Sequence, residues 1–101
     1  MSQPPPQSPP QNRVVREFKV LNAHGLHARS GALLVKTANR YPCEIQIAKD
    51  GTSVNAKSIM GVLMLAAARG MRVRITCTGG RAQECLDELA RLIANRFGES
   101  R

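Results

Sequence analysis

The feature that most limits how this chain can fold is the alternation of apolar and polar side chains along its strand-like segments. In the clearest of these, residues 71–77, apolar side chains alternate with two arginines and a threonine. Successive side chains of a β-strand point to opposite faces of the sheet, so an alternating strand buries only one face. All the helices of the domain must then cover that face. The pattern predicts a two-layer α/β (α+β) sandwich whose sheet is open to solvent on its other side.

Four strands and three helices are predicted, in the order β-α-β-β-α-β-α. The strands occupy residues 14–21, 43–47, 52–55 and 71–77, with Asp50-Gly51 as the two-residue hairpin between the second and the third. The helices occupy residues 28–40, 58–68 and 82–97, with Ser58 as the N-cap of the second. The open face of the sheet is expected to carry Glu17, Lys19, Glu44, Gln46, Arg72 and Arg74.

The first twelve residues differ in composition from the rest of the chain. They contain five of the six prolines and few apolar side chains, so they are predicted to be a disordered tail over residues 1–12. One small domain is expected over residues 13–98, followed by a C-terminal tail over 99–101. The longest uncharged stretch of the domain, residues 58–68, is far shorter than the roughly 20 apolar residues of a membrane-spanning helix. The N-terminus also lacks the apolar core of a signal peptide, so we expect no membrane insertion and a cytoplasmic location.

The chain is strongly basic, with 15 lysines and arginines against 7 acidic side chains and a formal net charge of +8. Such an excess is the usual footprint of a nucleic-acid binding protein. The three aromatic residues are not interleaved with basic ones, however, and the arginines form no long run. The charge therefore favours an acidic protein partner over a nucleic acid.

The three cysteines, Cys43, Cys77 and Cys85, are odd in number and lack a Cys-X-X-Cys spacing. This argues against a disulfide framework and against a zinc site. We interpret them as small buried apolar residues. The sequence implies no metal ion and no organic cofactor.

Both histidines of the chain lie in the segment 22–30, which leads into the first helix. His27 stands at the junction, with Arg29 two residues later. The first N–H groups of a helix have no partner within it and carry the positive end of its dipole, so they stabilise an anion at that point. An imidazole can accept and release a phosphoryl group near neutral pH, and a guanidinium supplies paired donors to phosphate oxygens. His27 and Arg29 thus indicate a phosphohistidine site. The alternative is an ordinary surface histidine, and nothing nearby favours His24 for the role.

Two motifs make the interpretation more specific: Gly-Leu-His-Ala-Arg at residues 25–29, and Asn-Ala-Lys-Ser-Ile-Met-Gly-Val at residues 55–62. In their spacing and element order they resemble the histidine-containing phosphocarrier (HPr) family of the phosphoenolpyruvate-dependent phosphotransferase system, and the resemblance spans residues 14–97. It implies the sheet order 1-4-2-3 and a phosphoryl group carried on Nδ1 of His27, beside Arg29 as the phosphate-site arginine. Enzyme I would be the donor, and an Enzyme IIA-type component of a sugar permease or a regulatory homologue would be the acceptor. The chain would be a phosphotransfer protein rather than a stand-alone enzyme.

Ser58 has two interpretations. It is a good helix N-cap, which explains a serine at this position by itself. The resemblance also implies a regulatory site that an ATP-dependent HPr kinase/phosphorylase phosphorylates, where the phosphate would place negative charge beside an apolar patch. The partner interface is expected to contain Ala32, Lys36, Lys57, Ile59, Met60 and Met64, with Val62 and Leu63 facing the sheet instead.

The chain departs from the family pattern after the arginine, where Ser30-Gly31 replaces the usual Pro-Ala. Serine is expected to loosen the start of the helix, and a glycine inside a helix costs about 1 kcal/mol relative to alanine. An interaction module without relay chemistry that is controlled at Ser58 therefore stays open as an alternative to a sugar-uptake carrier. A regulatory carrier of the nitrogen branch also stays open, because both branches of the family use the same histidine. A carrier that meets two partners in turn through one small face is expected to be a monomer.

Overall fold

The computed structural model describes residues 12–101, so the predicted tail over residues 1–12 lies, apart from Asn12, outside the described residues. Four strands and three helices follow in the predicted order, and a short 3₁₀ turn at Arg96–Gly98 ends the last helix. The strands are β1 Arg13–Lys19, β2 Glu44–Lys49, β3 Thr52–Asn55 and β4 Arg72–Thr78. The helices are α1 Ala28–Ala38, α2 Ile59–Met64 and α3 Ala82–Ala94.

The strands form one antiparallel sheet in the order β1-β4-β2-β3, which confirms the predicted fold class and strand order. Ile47 of β2 pairs with Ile75 of β4, and both side chains are buried beneath the helices. The six side chains expected on the open face are all exposed: Glu17, Lys19, Glu44, Gln46, Arg72 and Arg74. The hairpin between β2 and β3 has positive φ at Asp50 (50°) and Gly51 (84°), as a type I′ turn requires. None of the helices in residues 12–101 is long and apolar enough to cross a membrane.

Helix α2 is shorter than the sequence predicts, and the prediction that it continues to about Ala68 is wrong. The helix ends at Met64, with Leu65 as its C-cap, and Ala66 turns the chain with a φ of 50°. The helix stops here because the next residues serve other contacts. Leu65 and Ala67 are buried, and the carbonyl of Ala67 accepts a 2.8 Å hydrogen bond from the N–H of Leu26. The end of α2 therefore supports the loop that leads into α1.

Helix α3 also ends before the predicted residue 97. Both Arg96 (φ 53°) and Phe97 (φ 54°) have left-handed backbone conformations, and Phe97 is buried against the core. The chain reverses direction at this turn, and Glu99 comes to lie beside the start of α1.

The three cysteines are buried and unpaired, as small apolar residues would be. A hydrogen bond with Cys77 and burial raise the pKa of the Cys85 thiol. Burial, together with the adjacent Cys85, raises the pKa of the Cys43 thiol. The thiols of Cys43 and Cys85 are therefore held in their neutral form.

Candidate functional site

His27 is the N-cap of α1, and its ring is fixed on both sides. The backbone N–H of Arg29 donates a 3.3 Å hydrogen bond to Nδ1. On the other side, Nε2 lies 2.7 Å from the carboxylate oxygen Oε2 of Glu99. A carboxylate can only accept, so Nε2 carries the proton and Nδ1 keeps its lone pair. About a third of the side chain is exposed (34%), so Nδ1 stands at a helix N-terminus within reach of an incoming group.

The loop before His27 is held by two buried polar side chains. The amide of Asn22 and the hydroxyl of Ser30 each donate a 2.7 Å hydrogen bond to the carbonyl of Gly25. The Ser30 oxygen in turn accepts a 3.1 Å bond from the N–H of His27 and completes a capping box. Ser30 was expected to loosen the start of the helix, and the structure shows the reverse. Its hydroxyl ties the residue two places before His27 to the first turn of α1.

Gly25 is packed where no side chain fits. Its φ is 65°, and a Cβ added to it would lie 2.3 Å from the carbonyl oxygen of Ala67 and 2.8 Å from Cα of Ala68. The loop before α1 therefore approaches the end of α2 backbone to backbone, and this contact sets the position of His27 in the fold.

Glu99 is the site residue that sequence reasoning missed, because it was assigned to the C-terminal tail. Its Oε2 accepts from His27, and its Oε1 accepts a 3.0 Å bond from the amide of Asn22. The hydrogen bond from Asn22, followed by that from His27, lowers the pKa of the Glu99 carboxyl below its ordinary value. In the sequence, only Gly98, which ends the helical pattern, indicates that the chain turns just before Glu99. Nothing in the sequence indicated where it leads.

An open cleft of about 420 Å³ surrounds the ring of His27. It is lined by His24, His27, Arg29, Gly98, Glu99, Ser100 and Arg101. The His24 ring meets the His27 ring edge-on, with 5.8 Å between the ring centroids. Arg29 is exposed, and its guanidinium takes part in none of the ion pairs formed within residues 12–101. The cleft thus offers an anion one nucleophilic nitrogen and a free guanidinium.

Helix α2 lies against α1 and presents an apolar patch to solvent. Met60 and Met64 are 67% and 76% exposed, and Ile59 is 37% exposed. Val62 is fully buried, as expected for the side of α2 that faces the sheet. Leu63 is half-buried and lies against Gly31 of α1. Ser58 caps the helix, accepting a 3.2 Å hydrogen bond from the N–H of Gly61. Its predicted N-cap role is therefore present in the structure.

The two helices are brought close together by Gly31, one turn after His27. A Cβ at this position would lie 3.3 Å from Leu63 Cδ2 and 3.4 Å from Ile59 Cδ1. The patch on α2 therefore borders the turn that carries His27. Of the other expected interface residues, Ala32 and Lys36 are exposed on α1. Lys57 instead donates its Nζ–H to the carbonyl of Tyr41 at 2.6 Å, so its ammonium is already engaged.

Comparison with known proteins gives a consistent result. The family model described as "PTS HPr component phosphorylation site" matches residues 14–95. The chain is 45% identical to the phosphocarrier protein HPr of Cupriavidus necator over 84 residues, which cover 83% of this chain and 94% of that protein. It superposes on the crystal structure of HPr-C-His from Thermoanaerobacter tengcongensis with a TM-score of 0.85 at 38% identity, covering 87% of this chain and 99% of that one. It also resembles an HPr dimer from the same organism, with a TM-score of 0.70 at 40% identity over 81% of this chain and 94% of that one.

Proposed function

The chain belongs to the HPr family and is a phosphocarrier of the phosphotransferase system, and on this premise we propose that His27 receives the phosphoryl group from phospho-Enzyme I and passes it to an Enzyme IIA-type acceptor in sugar uptake. The observation that carries the proposal is the orientation of the His27 ring. Nδ1 is unprotonated at the N-terminus of α1, and Nε2 is held 2.7 Å from Glu99.

The transfer step uses the lone pair of Nδ1. It attacks the phosphorus atom of the donor, a new N–P bond forms, and the bond between phosphorus and the donor breaks with its electron pair going to the donor. The imidazole gains positive charge as this happens, while the proton on Nε2 stays in place. The Glu99 carboxylate, 2.7 Å from Nε2, stabilises that charge.

Two groups on α1 are placed to donate hydrogen bonds to the phosphoryl oxygens. The N–H of Arg29, which donates to Nδ1 in the free protein, is next to the position that the phosphoryl group would occupy. The Arg29 guanidinium, exposed at the cleft, supplies further donors of the geometry that phosphate prefers. In the onward step a nucleophile of the acceptor attacks the same phosphorus atom, and the N–P bond breaks with its electron pair returning to Nδ1, so the same groups serve both steps.

The direct experiment is intact-mass spectrometry of the full chain after incubation with Enzyme I and phosphoenolpyruvate. We expect a gain of one phosphoryl group that disappears on brief acid treatment, because phosphohistidine is acid-labile. No gain in the presence of an active Enzyme I would contradict the relay. It would favour the alternative of an interaction module without relay chemistry.

We assign a regulatory role to Ser58 within the same proposal. Its Oγ lies at the start of α2, next to the exposed Ile59 and Met60. A phosphate there would add about two negative charges to an apolar surface and so weaken docking. In the same mass measurement, an ATP-dependent HPr kinase/phosphorylase is expected to produce an acid-stable gain that is missing in Ser58→Ala. An acid-stable gain retained in that variant would place the regulatory site elsewhere.

Glu99→Gln is expected to slow phosphoryl transfer about ten- to hundredfold, since a glutamine can donate to Nε2 and stabilise the wrong tautomer of His27. The lowered pKa of Glu99 also determines how the stability of the fold depends on pH. Its contribution to stability is present above the carboxyl's unfolded pKa and is lost as the pH falls through the lower folded value. Single-turnover transfer rates and the urea midpoint as a function of pH measure the two effects. Equal rates for Glu99→Gln and wild type would remove Glu99 from the mechanism.

The partners are expected to dock on the patch formed by Ile59, Met60 and Met64. Met60→Ala is expected to raise the KM for Enzyme I up to about tenfold with kcat little changed, because it removes apolar contact without touching His27. Val15→Ala is the matched control. Val15 is 49% exposed, but it belongs to β1 on the open face of the sheet. Equal KM values for the two variants would place the docking surface elsewhere.

We further propose that the carrier acts as a monomer, since His27 and the patch on α2 form one continuous face that each partner must occupy in turn. Light scattering at working concentrations tests this assembly state. A stable dimer that hides Met60 would contradict it.

A further inference from the structure

The fold brings together three thiols that are far apart in the sequence. Cys43 directly precedes β2, Cys77 lies in β4, and Cys85 lies in the first turns of α3. All three are free and at most 1% exposed, and their sulfur atoms lie within 4.8 Å of one another. In residues 12–101 this is the one group of three or more potential metal ligands that converges so closely.

The topology explains the convergence. Cys77 pairs with Ile45 across β2 and β4, and Cys43 is two residues before Ile45, so both thiols point to the covered face of the sheet. Helix α3 lies over that face and adds Cys85. The cluster is near the C-terminal end of β4, whereas the loop that positions His27 packs against the chain just before β4 begins. The thiols are therefore not part of the phosphotransfer site.

The spacing of the sulfurs suits a three-coordinate centre. An ion bonded to three sulfurs at about 2.3 Å holds those sulfurs about 4 Å apart if all four atoms are coplanar, and closer if they form a pyramid. From separations of at most 4.8 Å, the sulfurs need to approach by less than about 1 Å to form a planar centre, and by about 1.5 Å at most to form a pyramidal one. Sulfur ligands select soft, thiophilic elements over Mg²⁺ or Ca²⁺.

The burial of the site limits which ionic charge it can hold. Three thiolates around a monovalent ion leave a net charge of −2, and around a divalent ion they leave −1. Neither charge is easily held in an apolar core, where an uncompensated ion is costly. The ammonium of Lys57, the cation that acts on both Cys43 and Cys85, is already bonded to the carbonyl of Tyr41. A trivalent ion with three thiolates is neutral.

We propose that Cys43, Cys77 and Cys85 form a binding site for a trivalent thiophilic metalloid of the arsenic(III) type. The reaction with neutral arsenous acid, As(OH)₃, is balanced without an oxidant or a reductant. Three As–S bonds form, three As–O bonds break, and each hydroxide leaves as water with one thiol proton. Reactants and product are all uncharged, so no net charge is buried at any stage.

An entry route lies next to Cys43. This residue lines an open cleft of about 310 Å³ together with Pro42, Glu44, Asn55 and Lys57, among others. Because Cys43 is only 1% exposed, a small neutral molecule in the cleft reaches its sulfur when the chain opens locally. The other two thiols then complete the site from inside.

The test uses the full chain, reduced and then freed of reductant, with sodium arsenite as the probe. We expect an intact-mass gain of one arsenic atom less three hydrogens, three sulfur neighbours and no oxygen by X-ray absorption at the arsenic edge, and a raised Tm because the ion binds the folded chain. No mass gain, or a centre with two sulfurs and one oxygen, would overturn the proposal. A lowered Tm would do so as well, since it would mean that arsenite binds the unfolded chain.

Three comparisons sharpen the test. Cys85→Ala is expected to weaken arsenite binding at least about a hundredfold, since removal of a direct ligand should cost no less than removal of a supporting group. If that variant does not fold, the X-ray absorption of the wild type alone decides. Zn²⁺ is the second probe, and it is expected to bind far more weakly, because it prefers four ligands and would leave a net charge. Zinc binding as tight as that of arsenite would refute the charge argument. His27→Ala is expected to bind arsenite unchanged.

Discussion

His27→Ala is expected to accept no phosphoryl group from Enzyme I, whereas His24→Ala is expected to accept one group as the wild type does. The two histidines are three residues apart with their rings in edge contact, yet only His27 is fixed at the N-terminus of α1. His27 has a backbone N–H at Nδ1 and a carboxylate at Nε2. His24 is exposed, and no described side-chain hydrogen bond orients its ring.

Acid-labile mass gain measures this prediction, and the matched histidine serves as its control. Loss in both variants would mean that the His24 ring is needed to position His27. Retention in His27→Ala would assign the phosphoryl group to another residue and remove the basis of the proposed function. Circular dichroism of each variant separates a chemical effect from a failure to fold.

Gly25→Ala is expected to lower the free energy of unfolding by about 2–5 kcal/mol, the second large effect in this protein. Two costs add at this position. A residue with a side chain is strained at a φ of 65°, and its Cβ would lie 2.3 Å from the carbonyl oxygen of Ala67. That oxygen belongs to the backbone and accepts from Leu26, so it cannot move aside without breaking a hydrogen bond.

Gly51→Ala is the matched control, because Gly51 also has positive φ (84°) but nothing lies within 4 Å of its added Cβ. It is expected to cost only the backbone strain, about 1–2 kcal/mol. Urea midpoints of the two variants give the difference, which isolates the contact with Ala67. Equal losses would show that the loop before α1 is not packed as tightly as described.

Gly25→Ala should also slow phosphoryl transfer, because the carbonyl of Gly25 accepts from both Asn22 and Ser30. Movement of this carbonyl releases the two side chains that hold His27 and Glu99. The stability and the rate of the variant are thus expected to fall together, whereas Met60→Ala changes docking without either.

Local patterns predicted the secondary structure of this chain well, and long-range contacts explain where they did not. The alternation in β4 and the Asp50-Gly51 turn depend on neighbouring residues, so they were visible in the sequence. The early end of α2 was not, because Leu65 and Ala67 still fit a helical pattern. Leu65 is instead buried just after the end of the helix, and the carbonyl of Ala67 accepts from Leu26, some forty residues earlier in the chain.

The site was predicted in part for the same reason. His27 and Arg29 are close in the sequence and belong to a recognisable motif, whereas Glu99 reaches them only through the reversal at Phe97. The effect of Ser30 was predicted from its intrinsic helix preference. In the structure, however, its role depends on the hydrogen bond that its buried hydroxyl donates to the carbonyl of Gly25. The cysteines show most clearly that local sequence patterns do not predict long-range contacts. Their spacing gave no sign that three elements would place the sulfurs within 4.8 Å.

We propose that Glu99 holds the proton on Nε2 so that Nδ1 of His27 receives the phosphoryl group. Long-range ¹H–¹⁵N correlation NMR of the phosphorylated, ¹⁵N-labelled protein tests it most directly, because the couplings of the two ring protons to each nitrogen tell which nitrogen is bonded to phosphorus. We expect the phosphoryl group on Nδ1 of His27, with the proton retained on Nε2. A phosphoryl group on Nε2, or on any residue other than His27, would contradict it.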